Sequence, residues 1–230
     1  MAVRPVFIPE TSSVGVTEKM LDFKWHPGMS ATQKKKSVIE LHNVAKENGL
    51  NNILEISSKS ELDLGIKLSA FNLLITTKKH NNSFTVETAF QGSKVFKSGG
   101  PYRDLFGMDS RAAKKDIRLR ESGSLIGFSF YSHSFPLIPR TYFYDWLYIN
   151  ALVQNSELSE AVMKFNCFSD IEFNPKKSIN CQAHAVALYI SLRNHDFLDK
   201  ALENPDSFLN FCQAHYNSQD RNIAIQNSMF

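Results

Sequence analysis

The chain has 230 residues, 43% of them hydrophobic and 18 of them phenylalanine, which suits one sizeable packed domain and excludes general disorder. Its formal charge is only +3, so net charge alone does not mark a nucleic-acid binder. Cys167, Cys181 and Cys212 lack CxxC or Cys/His ligand spacing, and the histidines form no HExxH-like pattern. This argues against a disulfide frame, and no metal or cofactor is expected. Residues 1–10 have no apolar leader core, and no window approaches a charge-free membrane-spanning length. The expectation is a cytoplasmic protein with no membrane partner.

In chain order, residues 1–30 read as extended or looped, with Pro5, Pro9 and the Trp25-His26-Pro27-Gly28 break. Ser30 is placed to cap a helix running to about Glu47, with Val38, Ile39, Leu41, Val44 and Ala45 on its buried side and Asn48-Gly49 ending it. Residues 52–57 predict a short strand, 68–77 a longer one, and Asn81-Asn82-Ser83 a turn. A helix bearing Glu87 follows, then a Ser98-Gly99-Gly100-Pro101 turn and a basic helix over 112–120 stopped by Ser122-Gly123. Residues 125–131 predict a strand, and 141–153 a strongly apolar core helix. A polar loop over 170–177 precedes a helix over 180–193, with Ala183, Val186, Ala187 and Ile190 buried. A last helical pattern runs from Pro205 to about His215. No repeat or linker interrupts the chain. The reading is one α+β domain, predominantly α-helical with short strands. Residues 1–51 form an N-terminal extension packed on the core, 52–193 the core, and 194–230 a C-terminal helical tail.

Basic residues cluster at Lys34-Lys35-Lys36, Lys78-Lys79-His80, between Arg111 and Arg120, and at Lys176-Lys177. Such runs are usually solvated faces, but four on one domain also suit a phosphate or nucleic-acid surface. Lys59, Lys114, Lys115, Lys176 and Lys177 are candidates for diphosphate or DNA phosphate contact.

The densest chemistry lies in 86–94, where Glu87, Gln91 and Lys94 stand at i, i+4 and i+7. At 3.6 residues per turn these share one helix face. A carboxylate can move protons, an amide can orient a sugar or base, and an amine can attack an anomeric carbon. Spacing alone reads first as a solvated Glu–Lys ion pair. The interleaved Val86, Ala89, Phe90, Val95 and Phe96 point instead to a mostly buried helix. Buried there, the three polar groups must pair with one another or act on a ligand.

Three elements in order resemble the NADAR family. Leu68-Ser69-Ala70-Phe71 matches its Phe/Leu-Ser-x-Phe segment, although Ala70 stands where many members carry Asn. Glu87, Gln91 and Lys94 match its Glu-x-x-x-Gln-x-x-Lys at identical spacing. Asp170-Ile171-Glu172-Phe173-Asn174 resembles its Asp-x-x-Trp-Gly, with Phe173 for Trp and Asn174 for Gly. These elements cover about residues 52–193. Further phrases at 25–30, 55–60 and 173–183 make the whole chain most similar to the branch that accompanies DarT-type toxins.

The resemblance implies Lys94, Glu87 and Asp170 as catalytic groups. It implies Ser69, Phe71, Gln91, Phe173 and Asn174 as substrate contacts, with Phe71 or Phe173 stacking on a base; Lys59 joins them as a candidate phosphate contact. It also implies that Lys94, neutral once its pKa is lowered, attacks C1″ and forms a Schiff base. The bland alternatives are a phosphate clamp for Lys94, a structural carboxylate for Glu87 and a loop cap for Asp170. The implied function is an ADP-ribosyl glycohydrolase that removes ADP-ribose from guanine in DNA, as antitoxin to a DarT-type DNA ADP-ribosyltransferase. Its partners would be ADP-ribosylated DNA, ADP-ribose and the cognate toxin.

Two alternatives stay open. One is a small-molecule N-glycosidase acting on ribosylated nucleobases or riboflavin-pathway intermediates. The other is a non-catalytic ADP-ribose-binding antitoxin. The basic clusters favour DNA over a small molecule, and the intact Glu87–Gln91–Lys94 set favours an enzyme. The pocket is expected where the start of the Glu87 helix meets the 68–77 strand and the Asp170 loop.

Overall fold

The computed structural model describes residues 1–28, 30–77 and 81–219. Met29, the Lys78-Lys79-His80 cluster and residues 220–230 of the expected tail lie outside the described residues. Strands β1 (Ala2–Pro9) and β2 (Val16–Phe23) form an antiparallel hairpin, followed by α1 (Ala31–Glu47). The Ser30 hydroxyl caps α1 by accepting from Gln33 N at 3.3 Å. Beyond its other end Gly49 takes φ of 81°, a conformation that favours a residue without Cβ. Next come β3 (Ile53–Glu55), α2 (Asp63–Lys67), β4 (Leu74–Thr76), β5 (Ser83–Thr85), α3 (Val86–Gly92) and β6 (Lys94–Phe96). A 3-10 turn at Arg103–Gly107 leads to α4 (Ser110–Lys114) and α5 (Arg118–Glu121). The hairpin β7 (Leu125–Phe130) and β8 (His133–Phe135) precedes α6 (Tyr142–Gln154) and α7 (Ser156–Ala161). The chain continues through β9 (Cys167–Ser169), α8 (Gln182–Asn194), α9 (Leu198–Ala201) and α10 (Pro205–Asn217). Long helices and short strands make this an α+β fold.

The main sheet runs β2-β1-β9-β3, with β9 antiparallel to β1 and parallel to β3. Successive side chains on a strand face opposite ways, and here both faces are covered. Val6, Leu21, Phe23 and Cys167 pack with Val38, Leu41 and Ala45 of α1. Their neighbours Phe7 and Phe168, with Leu54, join the larger core around α6 and α8. Tyr148 and Tyr189 are fully buried within it. Helices covered on nearly every side need no polar face, which explains the nearly continuous apolar sequence of α6.

A buried polar cluster ties the hairpin to the helices. Asp145 Oδ2 accepts from the Tyr216 hydroxyl at 3.2 Å, and Asp145 Oδ1 lies 3.2 Å from His184 Nδ1. His184 Nε2 lies 3.1 Å from His215 Nε2, while Val16 N donates to His215 Nδ1 at 3.4 Å. Residues from α6, α8, α10 and β2 thus satisfy one another's polar groups away from water.

Ile39, expected on the buried side of α1, is exposed, and three expected elements need correction. The 68–77 strand is only Leu74–Thr76, because 69–73 closes a turn. Ser69 O accepts from Asn72 N and Leu73 N at 2.8 Å each, and Gln182 Oε1 takes Ala70 N at 2.7 Å. These bonds leave the turn's amides no ladder to join. The 112–120 helix is two short ones, broken where Asp116 Oδ1 accepts from Arg118 N at 2.9 Å. Such local side-chain bonding competes with the helix ladder.

Third, α3 stops at Gly92, so Lys94 opens β6 instead of continuing the helix face. Ser129 N donates to Ser93 O at 2.7 Å and draws the chain onto β7. A Cβ on Gly92 would lie 2.6 Å from the Phe106 ring and 2.8 Å from Tyr102 O. Only glycine allows that approach at the helix end.

Candidate functional site

The 69–73 turn, α3, α4, α6 and the loop after β9 converge on a cavity of about 280 Å³. Thr85 caps α3 by accepting from Thr88 N at 3.2 Å, and Glu87 N donates to Ala70 O at 2.9 Å. Ser110 Oγ bonds both Thr85 Oγ1 at 2.8 Å and Phe71 O at 3.3 Å. The first turn of α4 is thereby tied to α3 and the 69–73 turn, and Lys114 is carried to the cavity wall.

Glu87 is 5% exposed and Gln91 6%. Gln91 Nε2 donates to Glu87 Oε1 at 2.9 Å, and Lys94 Nζ donates to Gln91 Oε1 at 2.7 Å. The three side chains expected on one helix face are therefore joined in one hydrogen-bonded chain, although the third stands on a strand. Lys94 Nζ also lies 5.0 Å from the centre of the Phe90 ring. Burial lowers its pKa to about 8. Glu87 pulls it upward and Lys114 pushes it further down. Lys114 Nζ stands 3.4 Å from Glu87 Oε1 and 5.0 Å from the Phe71 ring centre.

The loop after β9 brings further carboxyl groups to the same lining. Asp170 lines the cavity, and Glu172 N donates to its Oδ1 at 3.0 Å. Burial first, and the neighbouring Glu55 second, push the Asp170 carboxyl well above the usual carboxylate range. Glu55 is buried and shifted upward too, chiefly by desolvation. It accepts from Ser57 Oγ at 2.6 Å, Ser169 Oγ at 2.5 Å and Ile171 N at 2.9 Å. Those bonds favour its ionised form but do not outweigh burial. Two such groups side by side disfavour double ionisation.

Five of the nine sequence-predicted residues line the cavity: Phe71, Glu87, Gln91, Asp170 and Phe173. Lys94 stands one hydrogen bond behind the wall, at Gln91. Ser69, Asn174 and Lys59 are outside the lining. Ser69 is buried, with its hydroxyl at the long limit of a bond to Phe71 N, 3.5 Å. Asn174 Oδ1 caps the next turn by accepting from Lys176 N at 3.0 Å. Lys59 lies 4.0 Å from Glu172 Oε1, and Lys34 holds the same carboxylate at 2.6 Å.

Sequence reasoning missed Gln182, Tyr144 and Asn180 as lining residues and left Lys114 among the general phosphate candidates. Gln182 had a readable signal, a glutamine opening an apolar helix. It accepts from Ala70 N and donates to Ile56 O, locking the turn to the sheet. Tyr144 had none, since nothing separates it from other aromatics on α6. Asn180 Oδ1 is buried in the wall without a hydrogen-bond partner among the described residues. It is an acceptor open to a ligand N–H or O–H.

The arrangement offers an amine of lowered pKa hydrogen-bonded through Gln91 to Glu87, and in the same lining an Asp170 carboxyl of raised pKa. Those are the groups an N-glycosidic cleavage needs. Among the described residues no group of three or more His, Cys, Asp or Glu side chains could hold a metal ion. No helix among them is long and apolar enough to cross a membrane. No curated protein matches the chain. A family model described as DarT1-associated NADAR antitoxin matches residues 2–222. With that model covering nearly its whole length, the chain belongs to the DarT1-associated NADAR antitoxin family.

Proposed function

We propose that the protein is an ADP-ribosyl glycohydrolase that removes ADP-ribose from guanine bases in DNA, undoing the modification made by a DarT-type toxin. The observation that carries this reading is the bonded chain Glu87–Gln91–Lys94 ending in an amine of pKa about 8. An ordinary lysine is almost wholly protonated at neutral pH, whereas this one is about one-tenth neutral at pH 7 and half neutral at pH 8.

In the neutral form Lys94 Nζ leaves Gln91 and adds to C1″. The bond from C1″ to the guanine nitrogen breaks, and that nitrogen takes a proton from Asp170. Lys94 then loses a proton, the C1″–O4″ bond opens and O4″ is protonated, leaving a protonated Schiff base. Water adds to C1″, expels the amine and releases ADP-ribose. Glu87, bonded to Gln91 and beside Lys114, relays protons and balances the positive charge that develops at C1″.

The test is incubation with guanine-ADP-ribosylated DNA, with borohydride added during turnover. The expected result is free ADP-ribose, unmodified guanine and a reduced adduct mapped to Lys94. A second reading, a non-catalytic ADP-ribose-binding antitoxin, is favoured by one observation: Lys94 does not line the cavity. Tight ADP-ribose binding with neither cleavage nor adduct would establish that reading instead. An adduct on Lys114, the amine that does line the cavity, would move the nucleophile by one helix.

A further inference from the structure

Five tyrosines are buried, and four of them spend their hydroxyls on the protein. Tyr142 donates to Pro205 O, Tyr148 to Leu68 O, Tyr189 to Ser159 O and Tyr216 to Asp145 Oδ2. Tyr144 differs. It is 6% exposed and lines the cavity, and its hydroxyl makes no hydrogen bond among the described residues. We propose that Tyr144 is a further catalytic residue, whose phenol gives its proton to O4″ as the C1″–O4″ bond opens. The inference deepens the glycohydrolase reading above and rests on it.

Packing is the first argument. The Phe90 ring meets the Tyr144 ring edge-on at 5.2 Å, and the Tyr148 ring, one turn along α6, stacks on it at 6.2 Å. These contacts fix the ring and leave the hydroxyl to the cavity. A buried hydroxyl without a partner is destabilising, so the fold itself gains nothing from this one.

Chemistry is the second. Ring opening puts negative charge on O4″, which needs a donor already in place. The amides of the lining are engaged: Gln91 Nε2 donates to Glu87 Oε1 at 2.9 Å, and Gln182 Nε2 donates to Ile56 O. Asn180 Oδ1 is open but is an acceptor. Asp170 has already given its proton to the guanine nitrogen at this stage. The Tyr144 hydrogen is unspent. Burial first, and Glu87 second, hold its pKa well above the ordinary phenol value, so the phenol reaches this step protonated. The step balances without another reactant. The proton that Lys94 loses passes to Glu87. The electron pair of the C1″–O4″ bond goes to O4″, which takes the phenol proton, and Glu87 then returns its proton to the Tyr144 oxygen.

Tyr144→Phe removes the hydroxyl and keeps the ring. Single-turnover assays on guanine-ADP-ribosylated DNA, with and without borohydride, compare this variant of the full chain with the wild type. Unmodified guanine is expected to return at the wild-type rate, because its bond to C1″ breaks before the ribose ring opens. Free ADP-ribose and the reducible adduct on Lys94 are expected to form about 100-fold more slowly, the scale of losing one donor to a developing oxyanion. The Tm is expected to hold or rise, since no hydrogen bond of the fold is lost. ADP-ribose release at the wild-type rate would overturn the assignment, and so would a Tm several degrees lower, which would make the hydroxyl a structural group. Return of guanine slowed by the same factor as ADP-ribose release would put Tyr144 at the earlier bond and overturn its assignment to O4″. A wild type that releases no ADP-ribose would overturn the glycohydrolase reading together with this one, whereas an active wild type matched by Tyr144→Phe overturns the Tyr144 assignment alone.

Discussion

The α3 side of the cavity and the Asp170 side bury ionisable groups of opposite kind, and burial acts on them in opposite directions. On the α3 side, desolvation takes a proton affinity away: Lys94 falls from 10.5 to about 8. On the loop side it adds one, raising Asp170 well above its ordinary value, with Glu55 close by. Both groups are driven toward neutrality, and on the proposed reading the Lys94 amine attacks and the Asp170 acid donates. The walls differ in how rigidly this is done. Glu55 is fixed by three hydrogen bonds inside the main sheet. Lys94 is held by one hydrogen bond to the Gln91 side chain, with the Phe90 ring 5.0 Å away, and the proposed mechanism requires it to leave Gln91.

Breaking the α3 side at its amine has the largest expected effect. Lys94→Ala abolishes turnover and the borohydride adduct. Lys94→Arg does the same while keeping the charge, because a guanidinium stays protonated and cannot add to C1″. Near-normal activity of Lys94→Arg would reduce Lys94 to an electrostatic clamp, with Glu87 or Asp170 activating water directly.

Removing the carboxyl groups is expected to cost less. Glu87→Gln and Asp170→Asn each slow turnover by ~100-fold, the scale of losing a general acid or base. Asn at 170 can still accept from Glu172 N, so a pure loop cap would survive the change and activity would stay near wild type. Asp170→Asn also has a stability signature. The folded state holds the Asp170 proton more tightly than the unfolded chain does. Wild-type stability from this group is therefore present at acid pH and lost as pH rises through the raised folded-state pKa. The asparagine variant escapes that loss. Its Tm relative to wild type is expected to climb as melts move from pH 4 to pH 8, and a flat difference would show that Asp170 is ionised in the fold.

The same contrast explains what the sequence made legible. The helices α1, α6, α8 and α10 carry long patterns or clear caps, Ser30 and Asn204 among them, and their positions follow from local physics. The α3 side of the site was readable because Glu87, Gln91 and Lys94 lie within one short segment. The Asp170 side was less so. Its supports, Glu55 on β3 and Gln182 on α8, become neighbours only through the parallel pairing of β3 with β9 and the bond from Ala70. The apolar run from 68 misled because a run of that length fits a strand, a buried turn or a helix end, and tertiary bonds decided among them. Lys114 looked like one more solvated lysine until α4 was seen tied to Thr85 and Phe71.

Lys114 gives the smallest effect and the finest test of the α3 side. It is one of the causes that lower the Lys94 pKa, after burial. The rate should therefore rise with pH along a limb centred near pH 8 in the wild type, as the Lys94 amine loses its proton. Replacing Lys114 with Met removes a positive charge beside Glu87 and Lys94, so protonated Lys94 becomes easier to keep and the limb moves to higher pH. The Lys114 side chain is 55% exposed, so solvent screens most of its charge. The rate at pH 7 is accordingly expected to fall only about two- to fivefold through this route. Lys114→Arg keeps the charge and should hold the midpoint of the limb in place. The measurement is the pH profile of kcat/KM for wild type and both variants. A uniform drop with an unmoved midpoint would mean that Lys114 binds phosphate without tuning Lys94. An adduct and a pH limb that both vanish in Lys114→Met would make Lys114, the amine on the wall, the attacking group.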